Sequence, residues 1–338
     1  MTGGPVPKLT VCLPTYNRAA YLQQALSSIL AQTVGDFELI VGDNCSTDAT
    51  PDVVAALRDP RVRYVRHETN LGHYRNMNRC LELARGAYLC IVHDDDVYAP
   101  EFLARESELL DRHPNAGMVH CAVYAVDAER RRRRICRAYP DTGVRDGRGE
   151  FIRYLGGHNV CCSTVMFRKS LWEAAGPFHA ELMCADWLLW LQFALRGDVG
   201  YVAAPLVEMR QHEVRMTSVM QPLAWGQEFL EVLRAALHML ETVDPASAAL
   251  REALQRRAIR SQGHRFWVAA LAAAADGMTE QVEGYVGVLR MLQSKGLPRR
   301  YAGTADALAG PLGRRVLQPV RALWRSLGRV DAEQGASW

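Results

Sequence analysis

Three consecutive carboxylates, Asp94-Asp95-Asp96, stand behind His93 directly after the apolar run Ala87-Tyr88-Leu89-Cys90-Ile91-Val92. Like charges so close repel one another unless a cation or a polar partner offsets them. The cation that suits adjacent carboxylates is a hard divalent metal such as Mn2+ or Mg2+, most often carried in with a ligand's phosphates. Two other apolar runs end in polar groups. Leu13-Pro14-Thr15-Tyr16-Asn17-Arg18 offers hydroxyls and a cation, and Gly42-Asp43-Asn44-Cys45-Ser46-Thr47-Asp48 offers two more carboxylates. A solvated acidic turn would explain one such exit. Three polar exits gathered on one rim point to a ligand.

The elements that would gather them can be read from periodicity. Residues 9–13 read as a strand, and Leu22, Ala25, Leu26, Ile29 and Leu30 mark one face of the helix that follows. Residues 37–41 form a second strand. Thr50 and Pro51 start the next helix as cap and first turn, with Val53, Val54 and Leu57 as its apolar side. Residues 61–66 alternate like a strand, a helix runs over 73–84 to Gly86, and the strand before the carboxylates comes next. This βαβαβαβ rhythm predicts an α/β protein with a doubly wound, mostly parallel sheet, whose carboxyl edge is where ligands collect.

After Ala128 the character changes. The arginines at 130–134 predict a hairpin or loop tip, a solvated basic turn or a surface for acidic lipid or a phosphorylated acceptor. Residues 163–167 read as a strand, 186–196 as a helix, and 199–202 and 207–210 as two short strands. Beyond Pro222 the pattern is helical, over 224–240, 246–274 and 279–292 with a last segment near Pro319. We expect a first domain over 1–221, with a nucleotide-binding part at 8–128 and an acceptor part at 129–221, and a helical domain over 222–338.

Composition removes several classes. With 338 residues, 49% hydrophobic and 23% charged, the chain has the material for a large core. A net charge of only +3 gives no indication of nucleic acid as a partner. Nine scattered cysteines without a CxxC pair suggest neither a disulfide framework nor structural zinc, and fit a reduced, cytoplasmic setting. No apolar run approaches the roughly 18 residues of a membrane span, and the first residues lack an apolar signal core. No GxGxxG follows the first strand, which disfavours a dehydrogenase, and no Gly-rich phosphate loop supports a nucleotidyltransferase.

Taken in order, Pro14-Thr15-Tyr16-Asn17-Arg18, Asp43-Asn44-Cys45-Ser46-Thr47-Asp48, Asn70-Leu71-Gly72 and Asp94-Asp95-Asp96 with Pro100 four residues on resemble the family 2 glycosyltransferases of the GT-A fold. The resemblance continues through Asn159, Ser163 to Arg168, Gly176-Pro177-Phe178, Ala185-Asp186-Trp187 and Arg210-Gln211-His212, and so covers about residues 8 to 220. It implies inverting transfer of a sugar from a nucleotide-diphosphate donor, assisted by a divalent metal. Asp186 then matches the general base. Asp43 matches the carboxylate that recognises the base, and Thr15 and Tyr16 match the loop that lines its pocket. Pro14, Arg18 and Asn70 fall on the same nucleotide side. Asp94 faces the ribose and Asp95 the metal, while His93 stands where many relatives carry the motif's leading aspartate. Arg210 and His212 match a segment that contacts the diphosphate and the metal.

The chemistry is consistent with one catalytic carboxylate. A nucleoside diphosphate leaves without a proton donor if a metal neutralises the growing charge, whereas a hydroxyl acceptor needs a base. UDP is the favoured nucleotide. The acceptor is a growing glycan or a lipid-linked sugar at the inner membrane face; a small natural product or peptide is the alternative, and a non-catalytic nucleotide-sugar binder is the reading outside enzymes. The tail sets Val316, Leu317, Val320, Leu323, Trp324, Leu327 and Val330 opposite Arg314, Arg321, Arg325 and Arg329. Such a helix suits packing on the domain or on a second subunit, which we favour, or peripheral contact with an anionic membrane.

Overall fold

The computed structural model describes residues 6–211, 221–243, 248–276, 278–299, 301 and 303. The chain divides into two compact units, Met1–Phe151 with Val160–Arg215, and Ile152–Asn159 with Met216–Trp338.

The first unit opens as the apolar pattern predicts. β1 (Leu9–Thr15) and β2 (Phe37–Asp43) are buried along their whole length. Between them α1 (Ala19–Leu30) buries Leu22, Ala25, Leu26 and Ile29, which leaves Leu30 at the margin. The six-residue α2 (Thr50–Ala55), β3 (Val62–Arg66), α3 (His73–Leu83) and β4 (Tyr88–Ile91) follow. β3, β2, β1 and β4 lie side by side in that order, all parallel. The chain steps outward from β1 in one direction to β2 and β3, then returns to β1's other side with β4. The crevice at such a reversal is where open α/β sheets hold ligands.

Beyond β4 the sheet becomes mixed. β5 (Val97–Tyr98), α4 (Phe102–Arg112), β6 (Ala116–Val126), β7 (Arg132–Cys136), β8 (Gly143–Arg145) and α5 (Gly147–Tyr154) lead to β9 (Met166–Arg168), α6 (Lys169–Ala175), α7 (Ala185–Ala194) and β10 (Asp198–Arg210). β9 runs antiparallel between β4 and β6, and β10 runs parallel to β6. The arginine-rich stretch is a hairpin, with β7 antiparallel to β6 and Arg130 at φ 62° in the turn. Arg130 and Arg132 both pair with Glu208, and Arg131 and Arg133 both pair with Asp127.

Three local expectations are corrected. Residues 163–167 are not one strand: Cys162–Thr164 is a 3-10 turn and the strand begins at Met166. The two short strands at 199–202 and 207–210 are one strand, β10, whose register against β6 shifts on either side of Pro205. A proline has no N–H for the ladder, so the strand bulges there and then continues. Thr50 is not a cap but the first helical residue; its N–H donates to Asp48 Oδ1 at 3.0 Å.

The second unit is helical where described: α8 (Pro222–Val243), α9 (Ala248–Asp276) and α10 (Thr279–Gln293), with α10 packed on the other two. Close approach depends on small residues. A Cβ at Gly226 of α8 would come within 2.7 Å of Val288 Cγ1 on α10. Phe229, Val232, Leu233, Val286, Leu289 and Leu292 supply its core. Segment 152–159 joins this unit through Gly156, whose carbonyl accepts from Ser261 Oγ and Gln262 Nε2, both at 3.0 Å. His212, the segment near Pro319 and the arginine-faced tail lie outside the described residues. No described helix is long and apolar enough to cross a membrane.

Candidate active site

Parallel pairing of β1 with β4 brings the end of one strand beside the exit of the other. Thr15, the last residue of β1, donates its hydroxyl to Asp94 Oδ2 at 2.6 Å, across the point where the strand order reverses. Arg18 begins the next helix and donates Nη1 to Asp95 Oδ2 at 2.9 Å. Asp96 is held by two later elements. Ser163 Oγ donates to its Oδ2 at 2.6 Å, and the backbone N–H of Arg210 to its Oδ1 at 3.0 Å. Each of the three carboxylates is thus fastened to a different piece of chain.

Their electrostatics follow from burial. Asp94 is 9% exposed and Asp96 2%. Burial, with the charge of Asp95 beside it, pushes Asp94 up to about 7, against the opposing hydrogen bond from Thr15. Asp96 is pushed up for the same two reasons. Without a cation, then, the triplet lowers its charge by keeping protons. Burial lowers His93, leaving it a neutral imidazole, although Asp95 and Asp186 both pull the other way. The charges of both carboxylates thus reach the same imidazole.

Asp186 lies in the first turn of α7, where the N-terminal end of the helix favours a negative charge. Its Oδ1 accepts from the Trp187 N–H at 2.9 Å and from Tyr74 Oη at 3.3 Å. No hydrogen bond to its Oδ2 is found among the described residues. The same Oη lies 2.9 Å from the Met183 carbonyl, so its single proton is shared between the two acceptors, and its ring stacks on Phe178 with centroids 5.3 Å apart. A tyrosine from α3 thereby fixes one oxygen of a carboxylate on α7. Nothing in the sequence pattern singles out Tyr74; its place shortly after Gly72, at φ 86° ahead of α3, is the available clue.

The donor set suits a divalent ion. One ligand atom each from His93, Asp95 and Asp96 lie within 4.8 Å of one another, and His93 Nε2 is buried without a hydrogen-bond partner among the described residues.

Comparison with known proteins decides the family. The pattern described as "Glycosyl transferase family 2" matches residues 10–175. A PGL/p-HBAD biosynthesis glycosyltransferase of Mycobacterium bovis (strain BCG / Pasteur 1173P2) is 33% identical over 187 residues, 54% of this chain and 67% of that one. The chain belongs to glycosyl transferase family 2. It is a glycosyltransferase, and its fold agrees with solved structures. Staphylococcus aureus TarS 1–349 in complex with UDP-GlcNAc has a TM-score of 0.65 at 19% identity, over 96% of this chain and 95% of that one. The mannosyltransferase PcManGT from Pyrobaculum calidifontis, in complex with GDP-Man and Mn2+, has a TM-score of 0.58 at 18% identity, over 98% and 84%.

In this glycosyltransferase, two expected ligand contacts also make hydrogen bonds within the protein. Asp43 has no exposed surface: Oδ1 accepts from the Ser46 N–H at 2.8 Å, Oδ2 from Tyr64 Oη at 2.5 Å, and Arg66 Nε lies 3.5 Å away. These bonds tie Asp43 to its own loop and to β3. Arg210 is 7% exposed. Its Nε donates to the Asp95 carbonyl at 3.1 Å, Nη2 to Gln24 Oε1 at 3.1 Å and Nη1 to the Ala128 carbonyl, with its face over Tyr21. These donors brace the carboxylate loop.

The remaining nucleotide-side residues are placed as a wall. Pro14 pairs with Gly42 and Thr15 with Asp43, which aligns the two strand exits. Tyr16 is 44% exposed, a large ring open to a ligand. Asn17 and Cys45 take φ of 52° and 68°, so both exit loops turn through the left-handed region. Asp48 ties them together by accepting the first N–H of α1, at Ala19, at 3.0 Å. Asn70 is exposed, and its Oδ1 accepts from Asn44 Nδ2 at 2.7 Å and from the Gly72 N–H at 2.9 Å, knitting the loop before α3 to the β2 exit.

Proposed function

We propose that this glycosyltransferase moves a sugar from a nucleotide-diphosphate donor to an acceptor hydroxyl by metal-assisted single displacement, with inversion at the anomeric carbon. The observation that carries this reading is that the charges of Asp95 and Asp186 act on one imidazole, His93. Asp95 belongs to a group of possible metal ligands, and Asp186 has hydrogen bonds to Oδ1 but none to Oδ2 among the described residues.

In the proposed step the acceptor hydroxyl gives its proton to Asp186 as its oxygen bonds to the anomeric carbon. The bond from that carbon to the diphosphate oxygen breaks, and the leaving nucleoside diphosphate takes the electron pair. A divalent ion, Mn2+ or Mg2+, would neutralise the charge that grows on the departing diphosphate. Asp95 would hold that ion, and His212 is proposed as a further ligand. Asp94, fixed by Thr15, is assigned to the ribose, and Tyr16 to the face of the base. Tyr74 and the Trp187 N–H keep Asp186 oriented during the transfer.

Residues 1–221 are proposed as the catalytic domain, divided near 128 into nucleotide and acceptor parts, with 222–338 as a helical domain. UDP is our choice of nucleotide. The complexes of TarS with UDP-GlcNAc and of PcManGT with GDP-Man make UDP- and GDP-sugars the donors to test first. The PGL/p-HBAD biosynthesis glycosyltransferases support an acceptor among lipid-linked sugars or growing glycans, met by a cytoplasmic protein with peripheral membrane contact. Incubation with UDP- and GDP-sugars and Mn2+, read by proton NMR of the anomeric signal, tests the reading. A product of opposite anomeric configuration to the donor supports it; retention, or transfer undiminished in excess chelator, refutes it.

A further inference from the structure

An imidazole among carboxylates changes which ion a site prefers. His93 directly follows the β4 run, and its N–H donates to Tyr98 Oη at 2.8 Å, which fixes the residue at the mouth of the triplet. The residue as a whole is partly exposed, yet its Nε2 is buried and makes no hydrogen bond among the described residues. Leaving a buried polar atom unserved is costly, so a nitrogen kept in that state calls for a partner that the described residues do not supply. The ring of His73 lies edge-on with its centroid 6.1 Å from that of His93, and closes one side.

The distances admit an ion. Metal–ligand bonds of roughly 2.1–2.2 Å put opposite ligands about 4.3 Å apart. The ligand atoms of His93, Asp95 and Asp96 lie within 4.8 Å of one another, so an ion set among them would draw all three side chains inward. Asp96 already accepts from Ser163 and from the Arg210 N–H, but each carboxylate oxygen has a second lone pair. Asp94 is turned to Thr15 and is not part of this group.

We infer that His93 is itself a ligand of the divalent ion, and that its nitrogen tilts the site toward Mn2+ and similar transition ions over Mg2+. The inference rests on the metal-assisted reading above. Mg2+ demands oxygen ligands and sheds water reluctantly, whereas imidazole suits first-row transition ions.

The test uses full-length protein with Mn2+ or Mg2+, each alone and with UDP or GDP, and reads binding rather than turnover. Free Mn2+ is followed by electron paramagnetic resonance, and nitrogen coordination by the 14N modulation of the spin echo. Wild type is expected to bind Mn2+ at least about tenfold more tightly than Mg2+, with 14N modulation. His93→Ala should weaken Mn2+ by roughly 10–100-fold, the range known for disturbing a metal's ligand shell, and lose modulation depth. His93→Asp, which restores an oxygen ligand and guards against a merely misfolded alanine variant, should recover binding, lose the same modulation and reduce the preference over Mg2+. Unchanged Mn2+ affinity and modulation in His93→Ala, with binding abolished by Asp95→Asn, would overturn the role of His93 and leave the metal reading intact. No Mn2+ binding by wild type in any of these mixtures would overturn both.

Discussion

The exit of β2 and the cleft beside β4 and α7 both carry aspartates, and they treat them differently. At β2, Asp43 has no exposed surface and both its oxygens are engaged, while Asp48 serves the backbone of two helices. Beside β4 and α7, Asp95 retains 16% of its side-chain surface, and among the described residues Asp186 has hydrogen bonds to Oδ1 only and His93 Nε2 is buried without a hydrogen-bond partner. Glu106 on α4 is a third case: it is fully buried, with the Cys121 thiol, a weak donor, beside it. The aspartates at β2 serve the loops around them, whereas those after β4 also gather with His93 as possible metal ligands. A carboxylate buried beside a weak donor is tolerated by keeping its proton.

The sharpest way to break the comparison is to exchange the two regions' sensitivities. Asp95→Asn is expected to lower turnover by orders of magnitude and to abolish Mn2+ binding while the melting temperature holds. Asp43→Ala should do the reverse in kind. It removes hydrogen bonds to a buried charge, so a denaturant titration should show a loss of about 1.5–3 kcal/mol, with nucleotide affinity following only as far as the loop loosens. An Asp43→Ala protein of normal stability but without nucleotide binding would return Asp43 to the ligand.

Smaller effects sharpen the distinction. Tyr74→Phe removes one donor from Asp186 Oδ1, worth about 1 kcal/mol, and should reduce turnover about 5-fold with donor KM unchanged. A rise in KM without a change in turnover would place Tyr74 on the donor instead. At Glu106, burial raises the carboxyl well above its ordinary value. The unfolded chain releases this proton first, so stability is greatest below the ordinary glutamate range and falls as pH rises toward the raised value. Glu106→Gln should flatten that decline. Melting temperatures between pH 5 and 9 check it, and parallel profiles for the two proteins would contradict it.

The frame was legible because burial imposes periodicity. β1, β2 and β4 are apolar runs with polar exits, and the face of α1 recurs at helical spacing, so the sheet edge and its loops could be drawn from the chain alone. Residues 199–202 and 207–210 read as two strands, although a bulge at Pro205 lets β10 run through both. What was not legible is which polar groups are already satisfied. The partners of Asp43 arrive from β3, at Tyr64 and Arg66, and those of Arg210 from α1 and the β6 exit. Saturation depends on contacts between distant segments, and a motif displays only the residue type. The same holds for Tyr74, whose meaning comes from α7 more than 100 residues away.

The central claim is that Asp186 takes the acceptor's proton and does nothing essential for donor binding or folding. Asp186→Asn keeps the size and the helix-terminal position of the side chain but removes its basicity. Turnover, UDP affinity by calorimetry and melting temperature should be measured on one preparation of each protein. Turnover is expected to fall by about 10²–10⁴-fold, the usual contribution of a general base, with affinity and melting temperature unchanged. Wild-type turnover in the asparagine protein, or a loss of UDP binding as large as the loss of turnover, would contradict the account.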